Sequence, residues 1–199
     1  ILTMSLVLAE KLKEKIANGE LTKPAFVAGH SLGEFSALYM ADVLSFEDTV
    51  KLVIARAALM QEAPKGAMTA IIGMNDQDVK AFTDKSQDVS IANFNSPEQV
   101  VITGTKDGVD RVSAEIDEFS SVSDKKARII ALNVGGAFHS PLMKDPALKF
   151  NELIDEMHFK DAQIPVVQNV TARPVVNASE IKENLKKQMT GSVRWTETV

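Results

Sequence analysis

The chain has 199 residues, 45% hydrophobic and 25% charged, with a formal net charge of -5. That length buries a real core, and the composition is that of a globular protein carrying one domain or two small ones. The charge argues against nucleic acid as a partner, the absence of cysteine excludes disulfides and thiolate chemistry, and the three histidines lack the neighbours a zinc site needs.

In chain order, Ile1 to Ala9 is apolar but lacks a basic leader, and it continues into Glu10-Lys11-Leu12-Lys13-Glu14-Lys15-Ile16. This reads as an amphipathic helix and not a signal peptide, ending near Asn18-Gly19. No apolar run is long enough to span a bilayer. A short apolar strand, Ala25 to Ala28, then runs into Gly29-His30-Ser31-Leu32-Gly33, and an apolar helix follows to about Ala41-Asp42. Ser45 and Asp48 predict the capped start of the next helix, with Val50, Val53, Ile54, Ala57 and Ala58 at helical spacing. That helix runs to about Glu62, and Pro64-Lys65-Gly66 ends it.

The pattern then becomes strand (Ala67 to Gly73), helix (Asp76 to Lys85), strand (Val89 to Asn93), turn (Asn95-Ser96-Pro97-Glu98), strand (Gln99 to Thr103), helix (Lys106 to Phe119) and strand (Arg128 to Leu132). This β-α-β-β-α-β order is the ferredoxin-like plan. After Gly135-Gly136, Pro141 opens a helix with Phe150, Leu153, Ile154 and Met157 as core candidates. Ile164 to Val170 reads as a strand, Thr171 to Asn177 as a loop, Ile181 to Met189 as helix, and Trp195 as the start of another. The expected fold is α/β: a parallel-sheet subdomain of residues 1–65 and 134–199, with an inserted ferredoxin-like subdomain of residues 66–133. The outer scaffold reads as incomplete at both ends, as in an internal fragment of a longer protein.

Gly-x-Ser-x-Gly between a strand and a helix is a nucleophile-elbow pattern. It puts Ser31 on a tight turn at a helix N-terminus, where backbone N–H groups can hold an oxyanion. Gly29 and Gly33 both read as positions where a Cβ would clash. A serine hydroxyl needs a base. On a sharp elbow the His30 side chain points away from Ser31, which gives it a packing or hydrogen-bonding role, and His158 at a helix end reads as a surface residue. His139 remains, in a loop entering a helix, either as the base or as a structural loop histidine. Asp107, Asp110, Asp117 and Asp124 all fall in the inserted subdomain, so a carbonyl could orient His139 in place of a carboxylate. Arg56, in the apolar stretch Leu52 to Met60, either snorkels outward or clamps a substrate carboxylate.

Together these motifs resemble the malonyl-CoA:acyl carrier protein transacylase family, the acyltransferases of fatty acid and polyketide synthesis. The resemblance rests on Gly29-His30-Ser31-Leu32-Gly33-Glu34, Arg56, Met60-Gln61-Glu62, Asn93-Phe94-Asn95-Ser96-Pro97 with Gln99-Val100-Val101-Ile102, and Ala137-Phe138-His139-Ser140-Pro141-Leu142-Met143. Pro165-Val166-Val167-Gln168-Asn169-Val170 and Gln188 with Val193-Arg194-Trp195 complete it. It implies a hydrolase-like α/β subdomain carrying a ferredoxin-like one, and transfer of a malonyl group from coenzyme A to the phosphopantetheine thiol of acyl carrier protein. The implied roles are Ser31 as nucleophile, His139 as general base, Gln188 as the residue whose carbonyl orients it, and Leu32 as an oxyanion donor through its N–H. Arg56 would bind the malonyl carboxylate, and Phe138 would narrow the pocket against an α-methyl group. Asn93 and Asn95 would lie on a turn facing the cleft, in reach of the thioester carrier.

The same resemblance implies malonyl-CoA as substrate, no tightly bound cofactor, no metal, no nucleic acid or membrane partner, and a cytoplasmic monomer. Lys125, Lys126 and Arg128 could steer an acidic carrier, or form an ordinary solvated charge cluster. The alternatives are a serine thioesterase or other hydrolase, which has no need of Arg56, and a non-catalytic docking domain of a synthase. The family's Gln-rich N-terminal loop, source of a second oxyanion donor, would precede Ile1. Since such a donor is worth about a hundredfold in rate, the isolated fragment is expected to have little activity.

Overall fold

The computed structural model describes residues 1–199. The elements are α1 (Leu2–Ala17), β1 (Val27–Ala28), α2 (Leu32–Met40), α3 (Phe46–Gln61), β2 (Ala67–Ile72), α4 (Asp76–Thr83), β3 (Val89–Ser96), β4 (Gln99–Gly104), α5 (Lys106–Val122) and β5 (Arg128–Ala131). After a 3-10 turn at Pro141–Met143 come α6 (Lys144–Glu156), β6 (Val166–Val167), β7 (Pro174–Val175), α7 (Ala178–Lys186) and α8 (Trp195–Thr198). No helix is long and apolar enough to cross a membrane.

The fold is α/β with two sheets. The larger part of the molecule is built on a three-stranded sheet in the order β1-β6-β7, in which β1 and β6 are parallel. Its apolar core is carried by helices, with Leu6 of α1, Phe35 and Leu38 of α2, Leu52 of α3 and Phe150 and Ile154 of α6 all buried. The second sheet has the order β3-β4-β2-β5, antiparallel throughout, which is the ferredoxin-like arrangement. One face packs on α4 and α5 through Ile71, Val79, Ile91, Ile102, Val112 and Ile116. The opposite face presents Met68, Ala70, Ala92 and Val101, and Phe138 packs against it. Side-chain caps set the helix starts: Ser45, Asn75, Thr105 and Asn177 each accept a backbone N–H of the first turn.

Four expectations are corrected. The strand expected over Ile164 to Val170 is only β6, because the main chain turns away after Val167: Gln168 O accepts Ala172 N–H at 2.8 Å and Asn169 O accepts Arg194 N–H at 3.0 Å. The loop expected after it contains β7. A turn with Ala172 at φ 51° brings Pro174 back beside Val167, on the sheet edge where the missing N–H of proline costs nothing. On α3 the buried positions are Thr49, Leu52 and Arg56, whereas Ile54, Ala57 and Ala58 are exposed. Strand β3 continues to Ser96, so Asn93 and Asn95 lie on a strand and not on the turn.

Candidate active site

The elbow follows from a local steric demand. Ser31 has φ 49° and ψ -101°, outside the comfortable regions for an L-residue, and it is the N-cap of α2. The turn is so tight that a Cβ on Gly29 would sit 2.0 Å from the Gly33 carbonyl oxygen. Gly33 itself would present its Cβ to open space, so of the two glycines only Gly29 is sterically required. Asn169, at the end of β6, grips the turn from both sides. Its Oδ1 accepts Ser31 N–H at 2.7 Å, and its Nδ2 donates to Gly29 O at 2.7 Å.

His139 is buried and also has a left-handed backbone, φ 57°. Ser140 locks this turn by donating its hydroxyl to Ala137 O at 2.6 Å while accepting Leu142 N–H at 3.2 Å. The imidazole Nδ1 faces two carbonyl oxygens, Gln188 O at 2.9 Å and Gly191 O at 3.2 Å. A nitrogen facing only acceptors must carry the proton, so Nε2 holds the lone pair. Nε2 lies 2.8 Å from Ser31 Oγ, and the serine therefore donates its proton to it. Burial, seconded by the positive charge of Arg56, holds the imidazole down to about 4, so it is neutral and able to accept a proton across the physiological range.

Arg56 completes the group. It is 5% exposed, and its Nη2 donates to Ser31 Oγ at 2.9 Å. Its guanidinium carbon lies 5.7 Å from the centre of the Phe35 ring, and its Nε–H is buried without an acceptor. Burial lowers it to about 10, against the pull of Glu34, so it remains a cation. A desolvated, half-unpaired guanidinium is poised to take an anion through a fork of donors. Arg56, Leu32, Phe138, Val53 and Met60 line a cavity of about 670 Å³. The ring of Phe138 enters it past Gly136, where a Cβ would come within 2.7 Å of the ring. The Leu32 N–H, first of α2, finds no backbone acceptor, whereas Gly33 and Glu34 donate to His30 O and Ser31 O.

The other expected residues are dispersed. Gln188 offers His139 its main-chain carbonyl, while its side-chain Nε2 donates to Ser31 O at 3.1 Å and Glu34 Oε2 at 2.7 Å. His30 points away from Ser31, with its Nε2 2.8 Å from Asn95 Oδ1 and its ring edge-on to Trp195. Asn95 thus reaches the elbow through His30, and Asn93 is buried on β3 beside Val193. His158 is exposed. Lys125 is ion-paired with Asp78, and Lys126 donates to Ser120 O and Ser123 O at the end of α5, so both lysines are engaged within the second sheet's own layer. No group of three or more histidine, aspartate or glutamate side chains gathers as a metal site.

Sequence reasoning missed Asn169, Gly191, Glu34 and Gln168. Glu34 is 1% exposed and accepts from Gln188 and, at 3.3 Å, from Gln168 Nε2. Burial pushes its carboxyl up to about 7. Two amides closing an apolar strand (Gln168-Asn169) were the available signal for the first of these contacts.

A strained serine between a strand and a helix, facing a buried neutral histidine on an α/β scaffold, defines the serine-elbow class of acyl-handling proteins. A family model described as "Acyl transferase domain" matches residues 1–199, and the chain belongs to that family. It is 41% identical over 193 residues to a malonyl CoA-acyl carrier protein transacylase of Synechocystis sp., covering 97% of this chain and 61% of that one. It is 42% identical over 206 residues to the protein of the same name from Bacillus subtilis, covering 100% of this chain and 62% of that one. The crystal structure of FabD from Acinetobacter baumannii superposes with a TM-score of 0.88 at 38% identity, covering 100% of this chain and 62% of that one. The chain therefore spans about three fifths of the length of these relatives.

Proposed function

We propose that the protein carrying this chain transfers a malonyl group from coenzyme A to the phosphopantetheine thiol of an acyl carrier protein, through a malonyl-serine at Ser31. The observation that carries this reading is Arg56, a buried cation with an unpaired Nε–H, hydrogen-bonded to the nucleophile and lining the cavity beside it. A neutral acyl group has no use for such a charge, whereas a malonyl carboxylate accepts its fork.

The steps follow from the hydrogen bonds. Ser31 Oγ attacks the thioester carbonyl as its proton passes to His139 Nε2, and the imidazolium keeps its Nδ1–H on Gln188 O. The developing oxyanion accepts from Leu32 N–H. The C–S bond breaks and the leaving thiolate takes the proton from Nε2. The carrier's thiol then runs the same steps in reverse order, giving ping-pong kinetics. Phe138 narrows the cavity against an α-methyl branch.

Residues 66–133 are taken as an inserted ferredoxin-like subdomain on residues 1–65 and 134–199, a division supported by the separate core of the second sheet. The protein is proposed to act as a cytoplasmic monomer without nucleic-acid or membrane partners. Its net charge of -5 and lack of cysteine are in keeping with that setting. The test is intact-protein mass spectrometry after exposure to malonyl-CoA, followed by a pantetheine thiol. A malonyl adduct on Ser31 that moves to the thiol supports the proposal. Release to water in preference to thiol would make it a hydrolase, and the absence of an adduct would make it a docking domain.

A further inference from the structure

The elbow motif ends in Glu34, a buried carboxyl that the steps above do not use. Its position is specific. One oxygen accepts Gln188 Nε2 at 2.7 Å, and the other accepts Gln168 Nε2 at 3.3 Å. Gln168 is itself fixed, because its Nε2 also donates to Ile181 O at 3.0 Å and its Oε1 accepts Asn184 Nδ2 at 3.0 Å. The amide of Gln188 can adopt one orientation only. Its two N–H groups face Ser31 O and Glu34 Oε2, and a flipped amide would set its oxygen against the Ser31 carbonyl, which can only accept. Gln188 is 1% exposed, and the same residue carries the carbonyl that receives His139 Nδ1–H. Gln188 N–H donates to Leu185 O and Gly191 N–H to Lys187 O, so both carbonyls on the imidazole belong to one short turn beyond α7.

We propose that Glu34 is a positioning residue, whose hold on the Gln188 side chain fixes the main-chain carbonyl that sets the tautomer and orientation of His139. Glu34 and Ser31 stand on the first turn of one helix, three residues apart, so a single rigid element positions the nucleophile directly and its base through Gln188. The connection replaces the acidic member of a hydrolase triad. The Glu34 carboxyl acts on the residue behind the histidine and leaves the histidine facing an uncharged oxygen. The proposal rests on the acyl-transfer reading of Ser31 and His139.

The experiment uses the protein that carries this chain, with Glu34→Ala and Glu34→Gln, each alone and with His139→Ala. The first readout is the rate of malonyl-serine formation. Glu34→Ala is expected to lower kcat about tenfold with KM unchanged, the cost of a base held loosely. Glu34→Gln keeps an acceptor for Gln188 Nε2 and is expected to restore most of that loss. With His139→Ala, Glu34→Ala is expected to change the residual rate by less than about twofold, since there is no imidazole left to orient. An equal loss with and without His139, or a change confined to KM, overturns the proposal. The second readout is the His139 Nδ1–H proton resonance, which needs no turnover. It is expected to shift or broaden in Glu34→Ala and to stay near its place in Glu34→Gln, and an unmoved resonance in Glu34→Ala overturns the proposal. Should Glu34→Ala not fold, Gln188→Ala removes the amide but keeps the carbonyl, and is read in the same way. A wild-type protein that takes no malonyl group defeats the acyl-transfer reading, while the proton resonance still decides the role of Glu34.

Discussion

Arg56 Nη2 donates to Ser31 Oγ at 2.9 Å, so one of the nucleophile's two lone pairs is engaged by the same cation proposed to bind the substrate. A carboxylate that draws the guanidinium toward itself frees that lone pair for attack. A neutral acyl group leaves the bond in place. Under the proposed function, selection for malonyl groups would have two sources, attraction of the carboxylate and release of the serine.

Arg56→Ala should therefore act differently on two substrates. Acylation by malonyl-CoA is expected to fall about 10- to 100-fold, the worth of a charge-assisted hydrogen bond of about 1.5–3 kcal/mol. Acylation by acetyl-CoA should hold or rise. Arg56→Lys should not restore malonyl transfer, because a point charge lacks the fork. Adduct formation timed by rapid quench and mass spectrometry checks this, and equal losses on both substrates would assign Arg56 a structural role.

His139→Ala should reduce Ser31 acylation by about 10²- to 10⁴-fold, the usual range for a general base. Binding of malonyl-CoA, measured by calorimetry, should be preserved. A loss of binding in parallel with rate would show that the imidazole shapes the cavity and does not serve as the base.

Two buried groups should oppose one another in the pH dependence of stability. Glu34 rises from an ordinary 4.5 to about 7, so between these values the native state holds a proton the unfolded chain has lost, and stability falls as pH rises. His139 drops from an ordinary 6.5 to about 4, so over that interval the unfolded chain binds the extra proton, and stability rises with pH. Urea midpoints at several pH values should separate them. Glu34→Gln should leave a midpoint that climbs with pH from about 4 to 6.5, and His139→Asn one that declines from about 4.5 to 7. Parallel profiles for the two variants would contradict this assignment.

The elbow glycines should not be equivalent. Gly29→Ala forces a Cβ against a backbone oxygen and should cost about 3 kcal/mol or more. Gly33→Ala lies in a helix with open space around it and should add about 0.5–1 kcal/mol. Thermal or urea unfolding of the two variants decides the point.

Phe138→Ala should widen the cavity beside Arg56 and raise the ratio of methylmalonyl to malonyl acylation about tenfold, the scale on which a pocket senses one methyl group. An unchanged ratio in a competition assay would remove Phe138 from the determinants of specificity.

Much of this was legible in the sequence, for physical reasons. The second sheet could be read element by element because each strand and helix shows its own periodicity, and Ser31 because the elbow is local. Arg56 stood out as a charge in an apolar stretch, but its direction was not readable. Val50, Val53, Ile54, Ala57 and Ala58 at helical spacing left both directions open for the arginine, whereas the helix buries Thr49, Leu52 and Arg56. Glu34 looked like any acid on a first helical turn. Its partners Gln168 and Gln188 lie more than a hundred residues away, and only the folded chain brings them together. Strand β7 escaped because two residues, one of them proline, carry no pattern.

The clamp of Asn169 on the elbow has a consequence for how the strain at Ser31 is borne. The register of β1 on β6 pairs Val27 with Val166 and Ala28 with Val167, and two further steps would pair His30 with Asn169. In a parallel ladder the residue opposite His30 donates its N–H to Gly29 O and accepts Ser31 N–H. The Asn169 side chain makes those two bonds with its own amide. It is a counterfeit peptide group, the last rung of the sheet supplied from a side chain after the main chains have parted. The nucleophile's contorted backbone is thus stitched to the sheet as a strand residue would be, and Asn169→Asp, which offers no N–H to Gly29 O, would cut that stitch on one side.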